Sequence, residues 1–488
     1  MKITNSMSGK KEEFVPLKKG EVKMYACGIT VYDLSHIGHA RQAITYAMIT
    51  DYLRYRGYKV TYVRNYTDVD DKIINKANEL GRDALDFSRE QIQETENDMA
   101  ALHVTDADIK TKASEYIPQI IKFVERLIEK GHAYATKKGD VYFSVKTDKE
   151  YGKLSHRKVD ELRNGVRIEL EEGKKDPVDF ALWKSAKPGE ISWDSPWGKG
   201  RPGWHIECSA MALNTLGETI DIHGGGRDLL FPHHENEIAQ SESLTGKTFA
   251  NYWTHCGLIK INGEKMSKSL GNSLTIRDAL KMYNYEVIKY VMFSKHYTSD
   301  IDIHERDFQL AEGKMYYFYS TIKAMEKFII ENKSDESSET LKDEIPNTIV
   351  QKFIEVMDDD FNSVAALSNL HTVFKYINDI IKNAKKANKQ IVANTLEKVL
   401  KSLKETYGIL GLLGQEPEAF LAEIKEKYLK KLNIDSKQIE TQIFERAEAK
   451  KNKDFVKADA IRAELEEKGI ILNDTREGTF WDFKALYN

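Results

Sequence analysis

One short segment of this 488-residue sequence holds side chains that could bind a metal ion. The segment FPHHENE, residues 231–237, contains His233 and Glu237 four positions apart, which would place both on one face of a helix. The same residues could instead be the polar first turn of a surface helix, and the segment alone leaves both interpretations open. The chain has few thiols, too sparse for a disulfide framework and therefore available to a metal or to chemistry: Cys27, Cys208 and Cys256.

The segment SHIGHA, residues 35–40, places two histidines at the predicted start of a helix, directly after a strand. His36 and His39 are three positions apart and share one face, where the backbone N–H groups of a helix start already favour an anion. Imidazole donors there could stabilise the charge that develops on a phosphate during transfer. Two histidines that only cap a helix are the alternative.

A second candidate phosphate site is the run KMSKS, residues 265–269, which lies between Gly263 and Gly271. Lys265 and Lys268 would hold ammonium groups where charge moves onto a leaving pyrophosphate. A loop of lysine and serine is by itself usually solvated surface. The pair HIGH and KMSKS, in this order, is much more specific than either run alone.

The elements that must position these residues follow a parallel-sheet pattern. Residues 22–27 alternate like a strand that ends at Gly28, residues 40–56 show helical spacing up to Gly57, and residues 59–63 form a second strand. Strand, helix and strand in this order predict a right-handed crossover with parallel strands. Ligands of such sheets bind at the carboxyl ends of the strands, which is where SHIGHA falls.

The middle of the chain interrupts this pattern and then returns to it. Residues 118–203 are rich in tryptophan and proline, which predicts an insertion of loops and short strands. The sheet pattern resumes with a helix near 207–216, a strand at 219–222 and a helix that opens at Pro232.

The last third of the chain reads as helical. From about Asp307 onward apolar residues recur at helical spacing, which predicts a bundle. The tail from about Tyr428 predicts two short helices around residues 452–454 and a β-hairpin across residues 476–478.

Charge and hydropathy exclude some classes of protein. Lys and Arg total 73 against 77 Asp and Glu, a net charge of -4, so nucleic acid would have to bind local basic patches. No apolar run of about 18 residues occurs and the first residues lack the apolar core of a signal peptide, so we expect a cytoplasmic protein that does not span a membrane. Basic patches do occur in the last third: Lys382, Lys385, Lys386 and Lys389, then Lys450, Lys451 and Lys453 before Phe455.

With HIGH and KMSKS in this order, the chain resembles the class I aminoacyl-tRNA synthetases. Three longer strings sharpen the resemblance: MYACGITVYD at 24–33, GRPGWHIECSAM at 200–211 and HGGGRDLLFPHHENEIAQSES at 223–243. Together they resemble the cysteinyl-tRNA synthetases, and the match runs from the first strand to the C-terminal module. This implies an α/β fold: a Rossmann-like parallel-sheet catalytic domain with an insertion, then an α-helical bundle and a small mixed α/β C-terminal module.

The resemblance also implies how the chain is divided, and that it is a monomer that binds tRNA(Cys). The implied parts are a catalytic domain (1–117 and 203–260), an inserted connective domain (118–202), a KMSKS loop and stem-contact region (261–309), a helical bundle (310–420) and an anticodon-binding module (421–488).

The resemblance answers the question that FPHHENE raised. In that family a zinc ion in the amino-acid pocket is held by two cysteines, a histidine and a glutamate, which fall here on Cys27, Cys208, His233 and Glu237. Zinc takes a thiolate at about 2.3 Å, whereas the hydroxyl of serine is a harder donor and far less acidic. Such a bond could supply the ~10⁴ to 10⁵ discrimination that translation needs, so no editing domain is expected.

The implied reaction has two steps. The cysteine carboxylate attacks the α-phosphorus of ATP with Mg²⁺, which gives cysteinyl-adenylate and pyrophosphate, and the terminal ribose of the tRNA then accepts the cysteinyl group. The implied catalytic residues are His36, His39, Lys265 and Lys268. The implied ATP-binding residues are His36, His39, His223, Gly225 and Lys268, and the implied contacts to L-cysteine are Gly28, Thr67, Trp204 and Asp228.

Two other functions remain open from the sequence. A zinc-dependent ligase that passes activated cysteine to a small amine would share all of these motifs, but it would have little use for residues 310–488. The other alternative is a non-catalytic RNA-binding zinc protein, in which HIGH and KMSKS would have no function. Three further residues are expected to be structural. Cys256 is expected to be a small buried residue, and His234 and Glu235 are expected to lie off the ligand face, in the polar first turn of the helix.

Overall fold

The computed structural model describes residues 1–159, 161, 173–265, 273–333, 339–341, 345–385, 388–475 and 478–487. Several residues named above lie outside this described part: Lys268 with the rest of 266–272, Lys386, and the hairpin-turn residues 476–477. The side chain of Lys265 also lies outside it.

The elements are numbered in chain order. The strands are β1 (Lys2–Asn5), β2 (Lys10–Glu13), β3 (Glu21–Thr30), β4 (Lys59–Thr67), β5 (Ile109–Lys112), β6 (Ala133–Ala135), β7 (Val141–Phe143), β8 (Phe180–Ser185), β9 (Gly200–Pro202), β10 (Ile220–Gly226), β11 (Ala250–Cys256), β12 (Ile259–Ile261), β13 (Glu264–Lys265), β14 (Ile301–Ile303), β15 (Ile470–Thr475) and β16 (Gly478–Phe483). The helices are α1 (Ile37–Tyr55), α2 (Asp71–Glu79), α3 (Ala84–Ala101), α4 (Ile117–Glu129), α5 (Trp204–Leu216), α6 (Glu235–Thr245), α7 (Ile276–Met282), α8 (Tyr285–Phe293), α9 (Glu305–Asn332), α10 (Ile345–Met357), α11 (Ser363–Asn383), α12 (Lys389–Tyr407), α13 (Pro417–Leu432), α14 (Ser436–Lys451) and α15 (Phe455–Glu467).

A parallel sheet with the strand order β11-β10-β3-β4-β5 forms the centre of the catalytic half. This confirms the predicted parallel-sheet α/β fold. From β3 the chain moves outward through β4 and β5, and it then returns to the other side of β3 with β10 and β11. The topological switch point therefore lies between β3 and β10, where the crevice at the carboxyl ends of the strands is the usual ligand site.

The strands beside the switch point extend further than the sequence predicted. β3 continues past Gly28, with a bulge between Ala26 and Ile29. The Gly28 N–H donates to Asn65 Oδ1 over 2.8 Å, and a Cβ at Gly28 would lie 1.6 Å from the Asn65 carbonyl oxygen. The prediction that the strand ends at Gly28 is therefore wrong, because the glycine permits a close approach between two strands rather than a stop.

The first crossover is also tied to the sheet that leads into KMSKS. α1 joins β3 to β4, as predicted, and begins at Ile37 because His36 caps it. The buried Arg41 on α1 donates to the carbonyls of Leu258 and Tyr297, over 3.0 and 3.3 Å. Those carbonyls lie just before the paired strands β12 and β14, and β13 pairs with β12. The HIGH helix therefore holds the base of the segment that carries KMSKS.

Between α4 and α5 the chain forms an antiparallel sheet with the order β6-β7-β8-β9. Its buried Phe143 and Trp183 pack with Phe123 of α4 in a separate apolar core. The prediction of short strands in this stretch is confirmed. Because the sheet leads directly into α5, it sets where that helix begins.

The helices after β14 form the predicted bundle. Its buried stripe includes Leu370, Phe374 and Ile377 on α11, and Leu396 and Leu403 on α12. The C-terminal module consists of α14, α15 and the antiparallel hairpin of β15 and β16. Within the described ranges, no helix combines the length and the apolar character that a membrane span requires.

Glu312 on α9 provides a test of this packing through pH. The side chain is 3% exposed, and burial raises the pKa of its carboxyl to about 7. Because an unfolded glutamate has a pKa of about 4.3, the folded state binds more protons between these values, and stability falls as the pH rises through them. We expect Glu312→Gln to raise the free energy of unfolding at pH 8 by on the order of 3 kcal/mol and to leave it unchanged at pH 4.

Urea unfolding at both pH values measures this difference. Glu331→Gln is the matched control, since Glu331 is an exposed carboxyl on the same helix, and it should behave like the wild type at both. An equal effect of Glu312→Gln at pH 4 and pH 8 would contradict the assignment.

Candidate active site

Four side chains from separate elements converge in the interior beside the switch point. Cys27 lies on β3, Cys208 on α5, His233 in the short helical turn Leu230–His234, and Glu237 on α6. Their ligand atoms lie within 4.8 Å of one another, and each residue is at most 1% exposed. We call these four residues the metal group. The fold thus gathers two thiols, an imidazole and a carboxylate that are far apart in the chain.

The contacts within the metal group are close enough for shared coordination. His233 and Glu237 lie one helical turn apart, with His233 Nε2 3.0 Å from Glu237 Oε1. The Cys27 thiol lies 3.2 Å from the same oxygen. Since one oxygen approaches both a sulfur and a nitrogen, the three donors point at a common centre.

A second set of ligand atoms overlaps the first, namely Cys27, His223, His234 and Glu237. His223 Nε2 lies 3.3 Å from Glu237 Oε2 and 3.5 Å from Cys27 Sγ. The expectation that His234 lies off the ligand face is wrong, and His223, which the resemblance assigned to ATP, lies against the metal group. The reason is strand register: β10 sets His223 opposite Tyr25, two residues before Cys27 and on the same face of the sheet.

The electrostatics of the metal group favour ionised ligands at two positions. Burial opposes ionisation, but His223 and His233 hold the pKa of Glu237 well below its usual value. Burial also disfavours a Cys208 thiolate, yet contacts with Cys27 and His233 lower the pKa of Cys208 to about 6. Burial, together with Cys208, raises the pKa of Cys27 well above its ordinary value. Several acidic groups thus share a dry interior.

This donor set fits a divalent metal ion. In the part of the chain that the structure describes, no lysine or arginine pairs with the metal group. Nε2 of the buried His234 lacks a hydrogen-bond partner, although it faces the group. Sulfur, nitrogen and oxygen donors in a set of four match the ligand types of Zn²⁺, and a doubly charged cation would offset the acidic groups.

Two side chains at the start of α5 surround His233. His205 Nδ1 lies 2.9 Å from His233 Nδ1, and burial lowers the pKa of His205 well below its usual value. A neutral His205 therefore accepts the Nδ1–H of His233, which directs Nε2 of His233 toward the metal group. The Trp204 ring packs on His233 with centroids 4.3 Å apart and is 36% exposed. Trp204 therefore forms a wall between the group and solvent.

The polar residues of FPHHENE, 233–237, are buried. His234 Nδ1 lies 2.8 Å from His255 Nε2, with both rings buried. The Glu235 carboxylate accepts the backbone N–H groups of Gly152 and Ser155 over 3.0 and 2.7 Å. Glu235 lies in the first turn of α6, as expected, but it is buried because a loop of the inserted region covers it. The surface-helix interpretation is thereby excluded.

His36 and His39 form the N-terminal cap of α1. His36 Nδ1 accepts the Gly38 N–H over 3.1 Å, and His39 Nδ1 accepts the His36 N–H over 3.3 Å. The two rings stack with centroids 3.7 Å apart. Capping therefore engages Nδ1 of both rings. One turn later, Gln42 donates to the carbonyl of Cys27 over 2.5 Å, which connects α1 to the metal group.

The other residues expected at the substrates lie near the ends of the central strands. Thr67 ends β4 and is buried, whereas Asp228 follows β10 and is exposed. A Cβ at Gly225 would lie 2.9 Å from the ring of His234, so this glycine makes room for that ring. Cys256 is buried, as expected, with its sulfur 3.5 Å from Thr45 Oγ1.

Two residues beside Cys208 were not predicted from the sequence. His205 orients His233, as described above. Glu207 is fully buried, and burial, with the neighbouring Cys208 and Asp68, raises the pKa of its carboxyl well above the usual value. Both residues stand within GRPGWHIECSAM, so a signal was present, but nothing in the string shows which side chains point inward.

Comparison with known proteins agrees with this geometry. The family model "tRNA synthetases class I (C) catalytic domain" matches residues 13–313, and the "DALR domain" model matches residues 352–414. Cysteine–tRNA ligases of Thermodesulfovibrio yellowstonii and Geobacter metallireducens are 48% and 47% identical, over 99% of this chain and 100% of each relative. The chain belongs to the cysteinyl-tRNA synthetase family. Cysteinyl-tRNA synthetases are class I aminoacyl-tRNA synthetases, so the protein is an ATP-dependent ligase whose substrates are ATP, an amino acid and tRNA.

Solved structures confirm the fold of this cysteinyl-tRNA synthetase family member. Mycobacterium tuberculosis methionyl-tRNA synthetase in complex with methionyl-adenylate matches with a TM-score of 0.60 at 15% identity, over 83% of this chain and 96% of that one. An Agrobacterium radiobacter LeuRS in a ternary complex matches with a TM-score of 0.59 at 10% identity, over 84% and 86%. The architecture is therefore that of class I synthetases.

Glu235 offers a test of how the inserted region contributes to the site. Its carboxylate accepts several backbone N–H groups of residues 152–155, and an amide would present one oxygen and a competing donor. We expect Glu235→Gln to destabilise the protein by about 1 to 3 kcal/mol and to speed hydrogen exchange of the amides at 152–155.

Hydrogen exchange read by mass spectrometry, with thermal melting, measures both effects. Glu150→Gln is the control, because Glu150 is exposed and pairs with Lys153 at the surface. Unchanged exchange at 152–155 in the Glu235 variant would show that this contact does not hold the loop.

Proposed function

We propose that this chain attaches L-cysteine to tRNA(Cys) in two steps, through a cysteinyl-adenylate, and that a zinc ion in the metal group selects cysteine. The observation that carries the proposal is the position of the metal group. Cys27, Cys208, His233 and Glu237 lie buried at the switch point of the sheet, and Gln42 links Cys27 to the HIGH helix. A bound amino acid whose side chain contacts this group would have its α-carboxylate toward the nucleotide end of the crevice.

The residues of the metal group account for selectivity. Zinc bound there would supply a soft Lewis acid that takes the substrate thiol, of pKa about 8.5, as a thiolate. His205 keeps Nε2 of His233 directed at the group, and Trp204 closes the side of the pocket. Serine has nearly the same shape but offers a much less acidic hydroxyl, so discrimination needs no editing domain.

The nucleotide end is assigned to the two phosphate motifs. We assign His36, His39, Lys265 and Lys268 to the phosphates of Mg²⁺-bound ATP, where they would stabilise charge on the leaving pyrophosphate. Gly225, at the carboxyl end of β10, is kept near the adenosine, whereas His223 is moved to the cysteine end because its ring contacts Glu237. The remaining contacts to cysteine are Gly28, Thr67, Trp204 and Asp228.

The rest of the chain is assigned to the tRNA. We divide it as above: residues 118–202 as the connective domain, 261–309 at the tRNA stem, 310–420 as the bundle and 421–488 at the anticodon. On the last module Phe455 is 61% exposed beside Lys453 and Lys457, an arrangement that suits an unstacked base. We also propose a monomer in the cytoplasm, where free thiols persist.

The experiment that tests the proposed function is pyrophosphate exchange driven by cysteine and by serine in parallel, together with the zinc content of the purified protein. One zinc per chain and exchange with cysteine alone support the proposal. Cysteine-dependent pyrophosphate exchange by a protein without zinc would show that zinc does not select the amino acid. Charging of tRNA(Cys) in the same preparation separates this function from transfer of activated cysteine to a small amine.

A ligand variant tests the metal group directly. We expect Cys208→Ser to retain zinc at least about 100-fold more weakly in a chelator competition and to raise the KM for cysteine, because a hydroxyl replaces a thiolate donor. Cys256→Ser is the matched control, since that thiol is equally buried and lies outside the group. Full zinc retention in Cys208→Ser would refute the ligand assignment.

Two variants test the phosphate motifs. Asn at position 39 can keep the acceptor that caps the helix while it removes Nε2, so we expect His39→Asn to fold normally and to lower adenylate formation by about 10² to 10³. Lys268→Ala should lower it similarly, whereas Lys137→Ala, at an exposed turn, should not. Normal exchange by either His39→Asn or Lys268→Ala would remove the corresponding role.

A further inference from the structure

Three segments of the chain meet around His36, outside the metal group. The first two form a short antiparallel pairing across His36. The Ile37 N–H donates to the Leu274 carbonyl over 3.0 Å, and the Ile276 N–H donates to the Ser35 carbonyl over 3.0 Å. The backbone on both sides of His36 is therefore held by residues more than two hundred positions away, just after KMSKS.

One turn of α3 is the third segment, and it holds both members of the pairing. Thr95 Oγ1 lies 3.2 Å from Ser35 Oγ, and both side chains are buried. Arg277, near the start of α7, donates Nε to Asp98 Oδ1 over 2.7 Å and pairs through Nη2 with the Glu94 carboxylate. Residues 94–98 therefore fix the backbone before His36 and, through Arg277, the segment that pairs with it.

The pairing with Arg277 gives a buried carboxylate a cationic partner. Asp98 is 3% exposed, and Arg277 is its one cationic partner among the described residues. The planar guanidinium can bind two carboxylates at once, which a single ammonium cannot do with the same geometry. Loss of the guanidinium would leave a buried carboxylate without its cation and would remove this link between α7 and α3. Thr95 would still hold Ser35, but Arg277 would no longer hold the segment 274–276 to the same helix.

We propose that Arg277 is a positioning residue. It fixes the positions of His36 and His39, the histidines proposed to bind ATP, by holding the segment 274–276 to α3. His39 follows His36, because His39 Nδ1 accepts the His36 N–H. A displacement of the paired backbone therefore moves both rings. The inference depends on the proposed function, which places these histidines at the phosphates of ATP. Arg277 itself does not touch the substrate.

The test is Arg277→Gln in the full-length, zinc-loaded protein. We expect the Kd for Mg²⁺-ATP, measured by equilibrium dialysis without cysteine, to rise about tenfold, because small misplacements of binding groups are costly. The KM for ATP in pyrophosphate exchange should rise with it, while the KM for cysteine and the zinc content stay within about twofold of the wild type. Arg277→Lys should restore part of the affinity, since it keeps the charge and loses the fork.

Arg82→Gln is the matched control, because Arg82 pairs with Glu90 of the same helix α3, at the surface and away from Ser35. It should leave both KM values unchanged. Asp98→Asn should reproduce the loss of ATP affinity from the other side of the pair.

Three outcomes are decisive. Unchanged ATP affinity in Arg277→Gln overturns the inference. Equal losses for ATP and cysteine with a lowered Tm mean that Arg277 is only structural, which also overturns it. A wild type that binds ATP but shows no cysteine-dependent exchange refutes the proposed function instead, and the effect of Arg277 is still read from the ATP affinity.

Discussion

Two thiols, an imidazole and a carboxylate share a dry space at the switch point of the sheet, and the rest of the catalytic half is arranged around that constraint. Acidic groups brought together away from water repel each other and lose solvation, so the arrangement needs a cation, protons or both. The surrounding imidazoles meet part of this need, because His223 and His233 lower the pKa of Glu237. A divalent metal ion would meet the remainder.

The inserted region belongs to this arrangement as well. Its loop supplies backbone N–H groups to Glu235, which lies between His233 and Glu237 of the metal group in the chain. On its other side, Lys184 of β8 lies 2.9 Å from Asp71 of α2, and Arg201 of β9 pairs with the same carboxylate. The inserted region is therefore attached to the catalytic half both through its loop and through its antiparallel sheet. It fixes α5, which carries Cys208, relative to β3, which carries Cys27.

The HIGH helix connects the metal group to the strands that lead into KMSKS. Gln42 binds the carbonyl of Cys27, and Arg41 binds carbonyls next to the strands that lead into KMSKS. The cap at its N-terminus places His36 and His39 one turn before these contacts. A single helix thus contacts both Cys27 of the metal group and the base of the segment that carries KMSKS.

The sequence determined the chemistry of the protein: the motif strings identified the family, and the spacing of His233 and Glu237 on one helical turn is a local property. The parallel crossover, the bundle and the terminal hairpin were also predictable, because hydrophobic periodicity is local too. Tertiary structure alone decided which neighbours join the site. His223 faces the metal group through the register of β10, and His234 faces it from the turn Leu230–His234. Glu235 is buried under a loop from the inserted region, and Gly28 marks a close approach of strands. Each of these depends on contacts between residues far apart in the chain, and local patterns carry no information about such contacts.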